Sequence, residues 1–250
     1  MPNPRSNGRR SEPLAARPYR AIFLDAGGTI LHLDRAFLLE RLAAQGIPCD
    51  EPRLRTADRA AKTRLAAAMR SGEAADDASR GRLYFAQLLA QVGCTGEAAR
   101  AVGEGARTRH REGRLWTYTE PGTLEVLRGL QAQGYVLGVV SNADGRVEEF
   151  LRTAGLRDAL DFVVDSARVG VEKPDPRIFA LACERAGVAP AEALHVGDVY
   201  EIDVLGARAA GLAALLVDAD PAEPHGCERI ARIHDLPAWL EAKRGAAAGA

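Results

Sequence analysis

Short apolar runs that end on polar or glycine residues recur along the chain. The first covers Ala21–Leu24 and ends on Asp25, after which two glycines and Thr29 follow. An apolar run of four to eight residues bounded by glycine indicates a buried strand of a parallel sheet. Ligands collect at the carboxyl ends of such strands, which is where this pattern places Asp25. The paired glycines leave the next backbone amides bare, as a phosphate-binding turn requires.

Further runs of the same kind follow in the second half of the chain. Strands are predicted at 136–140, ending on Ser141-Asn142, at 162–164, at 193–196, ending on Gly197-Asp198, and at 213–217. Helical patterns at 122–134, 145–154, 175–186 and 201–210 separate them, with glycine closing two of these helices. Strands that alternate with helices predict a parallel sheet with right-handed crossovers.

The stretch from Asp34 to about Arg111 has a different pattern. Apolar residues recur there at helical spacing, and glycine-containing breaks divide the stretch into roughly four helices. A crossover between parallel strands needs only about a dozen residues, so some eighty predict a separate helical unit.

The polar residues at these strand ends form four motifs in a characteristic order. They are Asp25-Ala-Gly-Gly-Thr, Ser141-Asn142, Lys173-Pro174-Asp175-Pro176, and Gly197-Asp198 with Asp203. Over residues 19–220 the chain thereby resembles a haloacid dehalogenase-like (HAD) superfamily hydrolase with a helical cap. The resemblance implies an α/β fold: a Rossmann-like parallel-sheet core from residues 19–33 and 112–250, with an all-helical cap at 34–111. Residues 1–18 lack apolar segments and are expected to form a disordered tail.

The resemblance also implies a chemical role for each motif. Asp25 matches the nucleophile that forms an aspartyl-phosphate, and Lys173 matches the cation that offsets charge beside it. Ser141 and Asn142 match the phosphate-binding pair. Asp25, Asp198 and the backbone carbonyl of Gly27 match the ligands of Mg²⁺, and Asp203 is expected to support them.

Gly27 departs from the family pattern. Phosphatases of the family usually carry a second Asp at this position, which protonates the leaving group and activates water. The first hypothesis is therefore a Mg²⁺-dependent phosphatase-like hydrolase of a small phosphorylated metabolite, weak on alkyl esters. Three alternatives remain: C–P cleavage similar to phosphonoacetaldehyde hydrolase with Lys62 as a Schiff base, a 2-haloacid dehalogenase, and a regulatory module with little turnover.

Three other polar residues have less defined expectations. His195 lies within a predicted strand and is expected to be a hydrogen-bonded core histidine. His32 and Asp34 follow the nucleophile loop and are expected to approach the substrate only if that segment acts as a flap.

Composition adds constraints on partners and compartment. The 250 residues suit a core with a smaller second unit, and a net charge of −1 gives no reason to expect nucleic acid or a membrane surface. No stretch has the roughly 18 continuous apolar residues of a membrane span. The four cysteines are scattered without CxxC spacing, which favours a reducing, cytoplasmic compartment over a zinc site or disulfides. Nothing in the sequence indicates the oligomeric state.

Overall fold

The protein is described here by a computed structural model covering residues 17–73, 77–218 and 226–248. The described residues form a six-stranded, all-parallel sheet of order β3-β2-β1-β4-β5-β6. Its strands are β1 Ala21–Leu24, β2 Val136–Ser141, β3 Phe162–Asp165, β4 Ala193–Gly197, β5 Ala213–Val217 and β6 Arg229–Ile230. This sheet confirms the predicted Rossmann-like α/β fold class.

Helices cover both faces of the sheet, which explains why its strands are apolar throughout rather than alternating. They are α5 Thr123–Ala132, α6 Val147–Thr153, α7 Ser166–Val169, α8 Pro176–Ala186, α9 Leu205–Ala209 and α10 Leu236–Ala248. Along β1, Ile22 and Leu24 join the apolar cluster on one face, whereas Ala21 and Phe23 join the cluster on the other. All four side chains are fully buried.

Four helices lie between β1 and β2 in the chain, as the helical spacing predicts. They are α1 Arg35–Ala44, α2 Glu51–Ser71, α3 Asp77–Gln91 and α4 Gly96–Arg111. Their buried faces share an apolar cluster of their own, which includes Leu38, Leu54, Leu88 and Val102. Helices that bury their apolar faces mainly against each other have the packing of a separate unit.

Two ends of the chain differ from the expectations. Of the predicted tail at 1–18, residues 1–16 lie outside the described residues, whereas Arg17 donates a hydrogen bond to the carbonyl of Gln133. The C-terminal helix α10 was not predicted, although Leu236 and Leu240 lie at helical spacing and are buried. In the described part of the chain, no helix combines the length and apolarity that crossing a bilayer would need.

Candidate active site

The register of the three central strands brings the predicted motifs to one edge of the sheet. Leu24 of β1 pairs with Val139 of β2 on one side and with Val196 of β4 on the other. The residues that follow these positions therefore emerge together at the carboxyl ends of the strands. Asp25 continues the ladder, since its amide donates to the carbonyl of Val196 at 2.8 Å.

Lys173 is the residue that joins the acidic groups of this edge. Its side chain is 2 % exposed, and its Nζ lies 2.6 Å from Asp25 Oδ1 and 2.6 Å from Asp203 Oδ1. Burial lowers the pKa of Lys173, but the two carboxylates outweigh burial and raise it above its ordinary value. Lys173 is thus a buried ammonium group that bridges two carboxylates.

Asn142 holds Lys173 in place through its backbone. The side-chain Nδ2 of Asn142 donates to the backbone carbonyl of Lys173 at 2.9 Å. The side-chain Oδ1 of Asn142 accepts from the backbone N–H of Lys173 at 2.8 Å. Both polar atoms of the Asn142 side chain are therefore engaged with Lys173. Ser141, the last residue of β2, is buried beside it. The direct phosphate contacts expected of Ser141 and Asn142 remain predictions.

Asp203 is held by three donors at the other end of this network. Besides Lys173, it accepts from the amide of Val199 at 3.0 Å and pairs with His195 Nε2 at 2.9 Å. Burial raises the pKa of Asp203, but Lys173 and His195 outweigh it and hold that pKa well below its usual range. His195 is fully buried, as expected of a core histidine, and is hydrogen-bonded through Nε2, whereas its buried Nδ1 has no hydrogen-bond partner of good geometry in the described part of the chain. Gly197 makes room for Asp203, because a Cβ on Gly197 would lie 2.2 Å from its Cγ.

Asp198, the third carboxylate at this edge of the sheet, contacts the helical segment. Its Oδ2 lies 2.7 Å from Nζ of Lys62 in α2. Lys62 also pairs with Asp58 Oδ2 at 3.3 Å, and Asp58 accepts a short hydrogen bond from the Tyr84 hydroxyl. This chain of contacts runs from the apolar cluster of the helices to the carboxylate. The sequence signals it only through the rarity of lysine, since Lys62 is one of just three lysines in the chain.

Two carboxyl groups have pKa values that are raised, mainly by burial and further by neighbouring negative charge. Burial, together with the charges of Asp203 and Asp198, raises the pKa of Asp25 to about 7 despite the neighbouring ammonium of Lys173. Burial also raises the pKa of Asp198, against the opposite effect of Lys62. Desolvation of this kind is typical of functional carboxylates.

The three carboxylates form a candidate metal centre. Single oxygens of Asp25, Asp198 and Asp203 all lie within 4.8 Å of one another. Gly28 allows the turn after β1 to approach them, because its φ is +88° and a Cβ there would lie 2.0 Å from Asp198 Oδ2. Gly27, in contrast, has no heavy atom within 4 Å of its Cβ position and does not have a positive φ.

A cavity of about 350 Å³ opens beside Asp198, between α2 and the sheet. Gly28, Thr29, His32 and Asp198 are among its lining residues, whereas Asp25 and Lys173 lie behind them and do not line it. Asp34 does not line it; its carboxylate instead caps α1 through the amide of Phe37 and pairs with Arg109. Of the two flap candidates, the structure therefore brings only His32 to the cavity.

Comparison with known proteins identifies the family of this chain. Residues 19–211 match the sequence profile described as haloacid dehalogenase-like hydrolase. Bovine haloacid dehalogenase-like hydrolase domain-containing protein 3 is 41% identical over 128 residues, which cover 48% of this chain and 51% of that protein. Phosphoserine phosphatase of Thermus thermophilus is 36% identical over 155 residues, covering 61% of this chain and 60% of the relative. The chain thus spans about half the length of the first curated relatives it matches.

One solved structure supports the fold over most of the chain. A HAD-hydrolase of Bacillus subtilis, solved with bound magnesium, superposes with a TM-score of 0.66 and covers 90% of this chain and 99% of its own. Because its sequence identity is 22%, this similarity concerns the fold alone.

Proposed function

This chain belongs to the haloacid dehalogenase-like hydrolases, and on that premise we propose that it is a Mg²⁺-dependent phosphatase of a small phosphorylated metabolite. The observation that carries the proposal is the buried contact of 2.6 Å between Asp25 and Lys173 beside a cavity large enough for a metabolite. A carboxylate held by an ammonium group at the end of a central strand suits attack on a phosphoryl group.

Asp25 is proposed as the nucleophile. A carboxylate oxygen of Asp25 forms a bond to phosphorus while the bond from phosphorus to the leaving oxygen breaks. The products are an aspartyl-phosphate and either a carboxylate, from an acyl phosphate, or an alkoxide that takes a proton from water. Water then attacks the phosphorus of this intermediate, which releases inorganic phosphate and restores the carboxylate. Lys173 is proposed to orient Asp25 and to offset the charge of the phosphoryl oxygens.

The residues present fit a Mg²⁺ ion. Asp25, Asp58, Asp198 and Asp203 are four carboxylates paired with only two ammonium groups, those of Lys62 and Lys173. This deficit of two positive charges matches one divalent cation, and carboxylate oxygens are the donors that Mg²⁺ prefers. Asp25, Asp198 and the carbonyl of Gly27 are the proposed ligands, and the ion would supply further positive charge at the phosphoryl group.

Asp203 and Asn142 are proposed to position the reacting groups. Both oxygens of Asp203 already accept hydrogen bonds from Lys173, His195 and Val199, which suits support of the site better than direct ligation. Asn142 fixes the backbone of Lys173 in the same manner, while Ser141 is the proposed contact to the phosphoryl oxygens. Supporting hydrogen bonds of this kind set the precision of an active site.

Gly27 is proposed to limit the range of leaving groups. The usual acid at this position is absent, and an acid–base group of this kind contributes about 10²–10⁴-fold. We therefore expect esters whose leaving group needs no proton, such as acyl phosphates, to react faster than alkyl esters.

Residues 34–111 are proposed to act as a cap that selects substrates. Helices α1 and α2 supply one wall of the cavity, so a change in their side chains would change the space beside Asp198. A cytoplasmic location is also proposed, and the four free cysteines agree with a reducing compartment.

The structure does not favour C–P cleavage through a Schiff base. That step needs Lys62 as a neutral amine, whereas two carboxylates hold its ammonium group. Burial opposes this charge, but Asp198 and Asp58 outweigh burial and raise the pKa of Lys62 above its ordinary value.

The experiment that tests the proposal is phosphate release from a panel of phosphorylated metabolites, with and without Mg²⁺. The panel includes acetyl phosphate, phosphoserine and an alkyl phosphate. We expect Mg²⁺-dependent release by the wild type and by the control Asp175→Asn, whose side chain caps α8 and pairs with the exposed Arg177. Asp25→Asn should release none, and equal release by Asp25→Asn and wild type would refute the proposal.

A further inference from the structure

The charges that line the cavity are separated between its two walls. The wall formed by α1 and α2 contributes Arg35, Arg55, Asp58, Arg59 and Lys62, and the opposite wall contributes Glu120, Asp198, Glu201, Asp218 and Arg232. The helical wall is therefore basic and the sheet wall is acidic. A substrate bound between them meets mostly cations on its helical side and mostly carboxylates on its sheet side.

Two of these cations already have close carboxylate partners. Lys62 lies 2.7 Å from Asp198, and Arg55 Nη2 lies 2.6 Å from Glu51 Oε1. Neither group therefore offers a full unit of uncompensated charge to a ligand.

Arg35 differs from them. Its Nη1 lies 3.6 Å from Glu51 Oε1, the same oxygen that accepts two hydrogen bonds from Arg55. The Arg35 side chain is only 17% exposed, so its charge is poorly solvated, and its ion pair is this long contact, with the carboxylate of Asp58 acting on it from a greater distance. An anion that reached it would be bound more strongly than one on an open surface.

The position of Arg35 in the chain also indicates a ligand role. It is the first residue of α1, where the helix dipole is positive and a cation is unfavourable, and no acidic residue lies in that first turn. The charge of Arg35 also acts on the neighbouring His32. Burial and the charges of Lys62 and Arg35 lower the pKa of His32 to about 4. His32 is consequently neutral near pH 7, so it neither attracts nor repels a charged group that enters the cavity.

We propose that Arg35 binds a carboxylate of the substrate, so that the enzyme prefers metabolites carrying a phosphate and a carboxylate over those carrying a phosphate alone. This inference rests on the proposed function and assigns its substrate class. A single weakly paired guanidinium balances one negative charge, and its planar donors match a carboxylate in two parallel hydrogen bonds. The cavity of about 350 Å³ is lined by both Asp198 and Arg35, so a small metabolite within it lies between a proposed metal ligand and this guanidinium.

The test compares two ligands that are not hydrolysed and differ only at the remote group. Phosphonoacetate carries a carboxylate where ethylphosphonate carries a methyl group. Calorimetry in the presence of Mg²⁺ gives both dissociation constants for wild type, Arg35→Gln and the control Arg64→Gln. Arg64 lies on α2 outside the cavity lining and pairs with Glu73 at 2.7 Å, so its variant removes the same charge elsewhere.

Wild type and Arg64→Gln should bind phosphonoacetate at least about tenfold more tightly than ethylphosphonate, as a charge-assisted contact predicts. Arg35→Gln should reduce this ratio to near one. The ratio is taken within one preparation, so partial misfolding of a variant does not alter it. Equal binding by wild type, no binding of either ligand, or an unchanged ratio in Arg35→Gln would overturn the inference. If the wild type still hydrolyses phosphate monoesters in those cases, the proposed function stands without it.

Discussion

Lys62 Nζ in helix α2 lies 2.7 Å from Asp198 Oδ2 at the end of β4, although the two residues are 136 positions apart in the sequence. The contact places an ammonium group on a carboxylate that is proposed to bind Mg²⁺. A cation in this position neutralises Asp198 and also repels a second cation. The helical segment and the metal centre are therefore electrostatically linked.

The first prediction concerns metal affinity. Lys62→Gln removes the competing cation from Asp198, so we expect Mg²⁺ to bind several-fold more tightly than in the wild type, measured by calorimetry. Arg64→Gln removes a positive charge from the exposed side of the same helix and should leave the affinity unchanged. Weaker binding by Lys62→Gln would instead show that Lys62 organises the metal centre.

The second prediction concerns the proton missing at position 27. Gly27→Asp should raise kcat on an alkyl phosphate about 10²-fold, the lower end of the acid–base range, because the new carboxylate has no support prepared for it. The substitution meets no steric obstacle, since the space around the Cβ position is open and the backbone is outside the left-handed region. Turnover of acetyl phosphate should change much less.

Gly28→Ala is the matched control for this change. Its φ of +88° and the 2.0 Å approach to Asp198 Oδ2 mean that one methyl group displaces the proposed metal ligand. We expect Gly28→Ala to lose activity on both substrates. Ordinary alkyl phosphatase rates in the wild type would contradict the role given to Gly27 and would point to another proton donor in the cavity.

The third prediction concerns pH. Because the pKa of Asp25 is raised to about 7, a proton occupies this carboxylate at lower pH and a metal ion must displace it. The apparent affinity for Mg²⁺ should therefore strengthen as pH rises, by about tenfold per unit below about pH 7, and level off above it. Calorimetry in buffers of different ionisation enthalpy should detect proton release on binding near about pH 6. A flat profile would contradict the assignment of Asp25 as a ligand.

The fourth prediction concerns stability. Asp203→Ala leaves Lys173 and His195 buried without a shared acceptor, and loss of one partner in a buried pair costs about 3–5 kcal/mol. Urea unfolding at neutral pH should show this loss of free energy of unfolding. Asp175→Ala removes a helix cap at the surface and should cost much less. Equal losses in the two variants would mean that Asp203 does not hold the network together.

The sequence predicted the sheet well because most strands are short, continuous runs of apolar residues, which can be recognised without knowing their partners. The apolar run Ala21–Leu24 is followed directly by Asp25, and the same pattern at β4 ends on Asp198, so both carboxylates could be assigned to one edge. The bond between Asn142 and Lys173 could not be predicted, since the hydrogen-bond partner of an amide depends on loop packing. The two-residue strand β6 at Arg229–Ile230 is too short for any periodicity to mark it.

Contacts between the helices and the sheet were the least predictable feature. The spacing of α2 shows that Arg55, Arg59 and Lys62 share a helix face, but not that this face meets Asp198. That depends on how two apolar clusters pack, which periodicity does not specify. The scarcity of lysine singled out Lys62, yet suggested a Schiff base rather than the ion pair found in the structure.

The central claim is that Asp25 carries the phosphoryl group. Its most direct test is to mix the protein with acetyl phosphate and Mg²⁺, quench the mixture in acid, and locate the phosphoryl group by peptide mass spectrometry. We predict one modified residue, Asp25, with the modification absent in Asp25→Asn and retained in Asp175→Asn. A phosphoryl group on another residue, or turnover without any phosphorylated Asp25, would contradict the account.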